Sequence, residues 1–156
     1  MKTLVIGEKI KNFTANSTNT DGYVLKDYLG KYLVMFFYPK DNTSGCTQEG
    51  IDFSENHDKF KKLNTEIFGI SRDNLKSHNN FKEKYGFKFD LLSDTEENIC
   101  NSFGVIKEKS MYGKKYMGVE RSTFVIDVHG VLIKEWRKVK VKGHVEEVLK
   151  YIKELN

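Results

Sequence analysis

Apolar positions along the chain follow two different spacings. Tyr32–Tyr38 (YLVMFFY) is an unbroken apolar run rich in strand formers, the pattern of a strand buried on both faces of a sheet. Before it, Asn16–Gly22 (NSTNTDG) is a turn signal between two short extended segments. After it, from Cys46 to Leu63, Ile51, Phe53, Phe60 and Leu63 are sparse and fall at helical spacing among polar residues, which predicts a half-exposed helix. A strand is predicted at Glu66–Ser71 and a helix at Asn74–Tyr85, with Gly86 as its stop signal. Phe87–Leu92 returns as a strand. A short helix fits Asp94–Phe103, opened by Asp94 and closed by Gly104, with Ile99 and Phe103 four apart on its inner face. Strands at Ser122–Asp127 and Val131–Val139 are joined by a turn at His129–Gly130. The last helix is the clearest, with Val145, Val148, Leu149, Ile152 and Leu155 forming one stripe. Alternating strands and helices that end in a hairpin and a helix imply an α/β sheet covered on both faces.

The chain has 156 residues, the length of one domain spanning 1–156, and neither repeats nor a linker divide it. Its 26 basic and 22 acidic residues leave +4, spread along the chain, which disfavours nucleic acid as a partner. The longest strictly apolar run, Leu33–Tyr38, is too short to cross a membrane, and Met1–Gly7 lacks a signal-peptide core, so a cytoplasmic location is expected. Two cysteines, Cys46 and Cys100, make no disulfide framework, and no Cys/His group has zinc spacing; neither metal nor cofactor is expected. Arg72, Arg121 and Arg137 are the only arginines in a lysine-rich chain, so each marks a place where a planar charged fork is needed.

Candidate chemistry concentrates in Tyr38–Glu49 (YPKDNTSGCTQE), a loop between the buried strand and the half-exposed helix. Ligand sites in open α/β sheets lie beyond the carboxyl ends of strands, and Cys46 stands there in the first turn of a helix. Unpaired N–H groups and the positive end of the dipole favour a thiolate in that position. A buried small apolar residue is the alternative reading of Cys46, although Gly45, Thr47 and Gln48 are poor company for an apolar plug. Thr43, three residues earlier, is either the helix cap or a hydroxyl directed at the sulfur or an incoming substrate, and Gly45 permits close approach. No second cysteine makes a C-x-x-C dithiol. His57 lies about 16 Å along the helix from Cys46, which excludes a Cys–His hydrolase pair. His78, His129 and His144 read as solvated surface residues.

YPKDNTSGCTQE resembles the active-site segment of the peroxiredoxins, whose signature P-x-x-x-T-x-x-C falls here on Pro39, Thr43 and Cys46. YPKDNT, FKEKYGF, LLSD, MYGKKYMG and RSTFVID extend the likeness to the Q-type subgroup, the bacterioferritin comigratory proteins, over nearly the whole chain. The resemblance implies a thioredoxin-like fold with a peroxiredoxin-type insertion, a central mixed β-sheet and helices on both faces. It implies thiol-dependent reduction of hydrogen peroxide and organic hydroperoxides, with Cys46 as the nucleophile that becomes a sulfenic acid. Thr43 would bind the peroxide oxygens, Arg121 would stabilise the thiolate and the leaving oxygen, and Pro39 would shield the sulfur. Glu49 has a role only if it pairs with a cation such as Arg121, because a bare carboxylate would disfavour the thiolate.

Departures from the family pattern are equally informative. Ile51 and Lys82 occupy the usual positions of a resolving cysteine, and Ser44 replaces a common proline, which loosens the loop. Cys100 is either a buried structural residue or a resolver reached by local unwinding. The favoured cycle therefore uses one cysteine, reduced by an external thiol: thioredoxin, glutaredoxin or a low-molecular-weight thiol. A monomer is expected, with a dimer as the alternative. Tyr112, Tyr116 and Met117 are expected in a loop, either as an apolar collar beside the site or as ordinary packing, and Lys114 and Lys115 as solvated charges. A peroxide sensor using the same cysteine without turnover, and a binding module with an inert thiol, are the competing functions.

Overall fold

A computed structural model describes residues 3–156; within it seven strands form one mixed sheet and two more form a separate hairpin. The strands are β1 (Thr14–Ser17), β2 (Tyr23–Val24), β3 (Tyr32–Phe37), β4 (Thr65–Ser71), β5 (Asp90–Ser93), β6 (Ile106–Met111), β7 (Lys114–Val119), β8 (Ser122–Ile126) and β9 (Leu132–Trp136). The helices are α1 (Ser44–Glu55), α2 (His57–Lys62), α3 (Leu75–Tyr85), α4 (Asn98–Ser102) and α5 (His144–Glu154). Sheet order is β2-β1-β5-β4-β3-β8-β9. The β5-β4-β3 centre is parallel, and antiparallel strands flank it on both sides.

β3 lies inside the sheet, paired with β4 and β8, which is why its sequence shows no polar alternation. Leu33, Met35 and Phe37 face a layer containing Ile99, Cys100 and Phe103. Val34, Phe36 and Tyr38 face the opposite layer, containing Cys46, Phe53, Phe60, Phe81 and the buried stripe of α5. Each buried aromatic or aliphatic side chain contributes about 1.5–3 kcal/mol, so these two layers hold the sheet rigid beneath the loops at its edge.

Local chemistry sets the helix ends. Asn74 Oδ1 accepts a hydrogen bond from Ser77 N at 2.8 Å to start α3, and Gly86 ends it in the left-handed region at φ 64°. Asp94 lies outside α4 yet serves it, its carboxylate accepting from Ile99 N at 3.1 Å and Cys100 N at 2.7 Å.

Several predicted boundaries shift. The helix expected from Cys46 begins at Ser44 and breaks into α1 and α2 at Asn56, whose side-chain amide donates to the Asp52 carbonyl at 2.8 Å. Of Phe87–Leu92 only the end pairs, because β5 spans Asp90–Ser93; the second strand of the final pair is Leu132–Trp136. Residues 106–119 form a hairpin, β6 with β7, where a loop was expected. Tyr112 and Gly113 both take positive φ at its tip, the geometry of a two-residue turn that matches strand twist.

Candidate active site

Thr43 is the N-cap of α1, so Cys46 lies in the first turn, where backbone N–H groups have no intrahelical acceptor. β8 pairs with β3 and follows directly on Arg121, bringing that side chain across to the start of α1. The Arg121 fork divides between two partners: Nη2 donates to Cys46 Sγ at 3.3 Å and Nη1 to Glu49 Oε1 at 2.8 Å. Gly45 makes the approach feasible, since a Cβ there would stand 3.1 Å from Arg121 Nη2. Cys46 is 1% exposed and Glu49 fully buried, so the Arg121–Glu49 ion pair and the sulfur beside it interact with little screening by water.

Glu49 sits one turn deeper in α1 than Cys46, beyond the first turn where the helix dipole favours an acidic side chain. Its Oε2 has no hydrogen-bond partner. Burial pushes its carboxyl up to about 7 against the opposing pull of Arg121. Burial also lowers Arg121, but Glu49 and Cys46 outweigh it, so the guanidinium is held above its ordinary value.

Thr43 departs from expectation. Its hydroxyl makes neither a cap bond nor a bond to the sulfur; it donates to the Lys40 carbonyl at 3.0 Å. Asn42, at φ 65°, folds the loop so that this carbonyl is within reach. The hydroxyl's one proton is thus engaged, and its oxygen remains an acceptor on an exposed residue. Pro39 is half-buried and lines a shallow depression with Lys40, Arg72, Asp73, Thr95 and Glu97.

The histidines correct a simpler expectation. His129 is exposed, but His78 is fully buried against Asp41, and His144 is buried with its Nε2 2.7 Å from Thr123 Oγ1. Both were read as solvated because their sequence neighbours are polar; their partners come from distant segments. Tyr112 is 98% exposed at the hairpin tip and joins no collar, and Tyr116 and Met117 are also exposed. The hairpin instead contributes Lys109, whose Nζ donates to the Val119 carbonyl at 2.6 Å. Burial first, and then the Arg121 charge, lower this ammonium below its ordinary value. Its place in a polar strand gave no signal of that position.

Cys100 packs in the layer of Phe37 and Phe103, on the face of the sheet opposite Cys46. Burial, reinforced by Asp94, pushes its thiol far up. The other arginines also act as forks, Arg72 reaching Glu97 and the Met117 carbonyl, and Arg137 reaching Glu135 and the carbonyls of Phe103 and Gly104.

A sequence model of the AhpC/TSA family matches residues 6–135. Peroxiredoxin Bcp of Bacillus subtilis is 47% identical over 154 residues, covering 99% of this chain and 98% of that protein. The chain belongs to the AhpC/TSA family, among the Bcp/PrxQ peroxiredoxins. The crystal structure of a cysteine-to-serine mutant of Xylella fastidiosa PrxQ superposes on this peroxiredoxin with a TM-score of 0.93 at 40% identity, covering 99% of this chain and 98% of that one. A structure of the Xanthomonas campestris bacterioferritin comigratory protein, described for its alkyl peroxide reduction activity, gives 0.87 at 46% identity, covering 91% and 90%. The thioredoxin-like fold implied by the sequence is thus the fold this peroxiredoxin has. No helix among the described residues is long and apolar enough to cross a membrane.

Proposed function

We propose that this peroxiredoxin reduces hydrogen peroxide and organic hydroperoxides at Cys46 and is restored by an external thiol. The observation that carries this reading is the single guanidinium shared by the Cys46 sulfur and the Glu49 carboxylate. The Cys46 thiolate attacks the terminal peroxide oxygen; an S–O bond forms, the O–O bond breaks, and the alkoxide or hydroxide leaves and takes up a proton. Negative charge moves from sulfur to the leaving oxygen in that step, and the Arg121 fork, anchored by Glu49, stays beside it without reorganising. The Thr43 oxygen accepts from the peroxide O–H, which orients the substrate. Pro39 keeps water from the sulfur. The alkyl peroxide reduction described for the Xanthomonas campestris relative supports alkyl peroxides as substrates.

The sulfenic acid then reacts with two equivalents of a thiol, giving the Cys46 thiol, water and the disulfide of the reductant. Cys100 is a poor resolver because the sheet separates it from Cys46. Thioredoxin, glutaredoxin or a small thiol fills that place, with the chain acting as one domain, a monomer in the cytoplasm. Intact mass after one equivalent of peroxide, with and without a sulfenic-acid trap, tests this on the parent and on Cys100→Ser. A trapped adduct on Cys46 in both proteins, with many equivalents of peroxide consumed once thiol is added, is expected. Loss of two hydrogens within one parent chain would overturn the one-cysteine cycle.

A further inference from the structure

A buried polar cluster under the Pro39–Thr43 loop is left unused by this chemistry. Lys40, Asn42, Thr43 and Ser44 are exposed, and Asp41 alone among them turns inward, its side chain 2% exposed. Tyr38 Oη donates to its Oδ1 at 2.7 Å and Ser77 Oγ to its Oδ2 at 2.8 Å. His78 Nδ1 lies 2.7 Å from the same Oδ2, while His78 Nε2 lies 2.9 Å from the Leu92 carbonyl. A carbonyl carries no hydrogen, so Nε2 must be the donor there. One proton then bridges Nδ1 and Oδ2, whichever atom holds it; without it two lone pairs would face each other in a site closed to water. The Asp41 N–H donates to Asp73 Oδ2 at 2.9 Å, and that oxygen also takes the Ser71 hydroxyl. Both Asp41 oxygens and Asp73 Oδ2 accept from these donors, and both His78 nitrogens are engaged, so the cluster is knit together by its own hydrogen bonds.

This network ties the loop to α3 through Ser77 and His78, and to β5 through Leu92. Its loop end lies two residues from Thr43, across Asn42, whose left-handed backbone a relaxed loop would abandon. We infer that the Asp41–His78 pair is a positioning unit of the peroxide reaction: it holds the Thr43 oxygen in register with the sulfur. The inference rests on the peroxidase reading above. A displacement of about 1 Å in such an arrangement costs on the order of a hundredfold in rate.

The test compares two reagents for Cys46. Iodoacetamide needs the thiolate beside Arg121 but no orienting acceptor at Thr43, whereas peroxide needs both. His78→Leu should slow the second-order reaction with hydrogen peroxide at least tenfold and leave iodoacetamide alkylation within threefold of the parent. His78→Asn, whose amide N–H stands where Nδ1 stood, should recover the peroxide rate to within threefold. A folded His78→Leu with parental peroxide kinetics, an equal fall in both reactions, or no recovery in His78→Asn would each overturn the inference. If His78→Leu does not fold, Tyr38→Phe and Ser77→Ala each remove one donor from Asp41 and should slow peroxide severalfold with alkylation unchanged; parental rates in both would overturn it. A parent chain that consumes no peroxide would instead defeat the peroxidase reading, which separates the two failures.

Discussion

Arg121 Nη2 stands 3.3 Å from Cys46 Sγ although the two residues are 75 apart in the chain. The sheet makes the contact: Phe37, at the end of β3, pairs with Ser122, the first residue of β8, so the start of α1 and the Arg121 side chain meet at the same sheet edge. The cation at the sulfur is therefore held by a backbone ladder as well as by its ion pair with Glu49.

Replacing the fork tests what its shape contributes. Arg121→Lys retains the charge but offers one compact ammonium, which cannot hold the sulfur and the carboxylate at the separation the two amino groups span. The peroxide rate should fall tenfold or more, about 1.4 kcal/mol or above in the barrier. Stopped-flow measurement of peroxide consumption reads this directly, and an unchanged rate would remove Arg121 from the mechanism.

Gly45→Ala sets stability against activity. Alanine in the first turn of α1 relieves glycine's conformational cost of about 0.5–1 kcal/mol, so the melting temperature should hold or rise. The new methyl, 3.1 Å from Arg121 Nη2, must push the guanidinium off the sulfur by a few tenths of an ångström. A severalfold loss of peroxide rate with intact stability is the expected pair of results; full activity would mean that the fork tolerates the shift.

Ser44 is the first residue of α1, and its N–H has no acceptor within the helix. Proline suits that place, and the preceding Thr43, at φ −86° and ψ 158°, already has the extended backbone proline demands of its neighbour. Ser44→Pro should stabilise the protein by about 0.4–1 kcal/mol through the unfolded chain, measured by urea denaturation, with peroxide reduction retained. Destabilisation would show that the loop holds a conformation other than the one described.

What could be read from the sequence followed the range of the interactions involved. β3 and α5 were legible because burial imprints itself on consecutive or periodic residues, and the ends of α3 because Asn74 and Gly86 act locally. Cys46 and Thr43 stood out by their place, between the end of a buried strand and the first turn of a helix, whereas Arg121 was singled out through a motif likeness; composition alone would have left it a surface residue. The β6–β7 hairpin escaped because most of its residues are exposed, so no apolar alternation marks it. His78 escaped because its partner, Asp41, lies 37 residues away and among polar neighbours.

Two buried groups near the site carry opposite dependence on pH. Burial, opposed by Arg121, raises the Glu49 carboxyl from 4.5 to about 7. Burial lowers His144 from 6.5 to about 4. The folded state binds the Glu49 proton more tightly than the unfolded chain, so that contribution to stability is full below about pH 4.5 and is lost as pH rises through 7. For His144 the folded state disfavours the proton, so its contribution is full above about pH 6.5 and is lost as pH falls through 4. Each amounts to about 3 kcal/mol over its window, and between the two unfolded values their slopes oppose and largely cancel. Urea unfolding across pH 4–7 should therefore separate the variants. His144→Asn, freed of the rising slope, should lose stability relative to the parent as pH increases, whereas Glu49→Gln should gain. Parallel curves for all three proteins would show that neither group is perturbed by its burial.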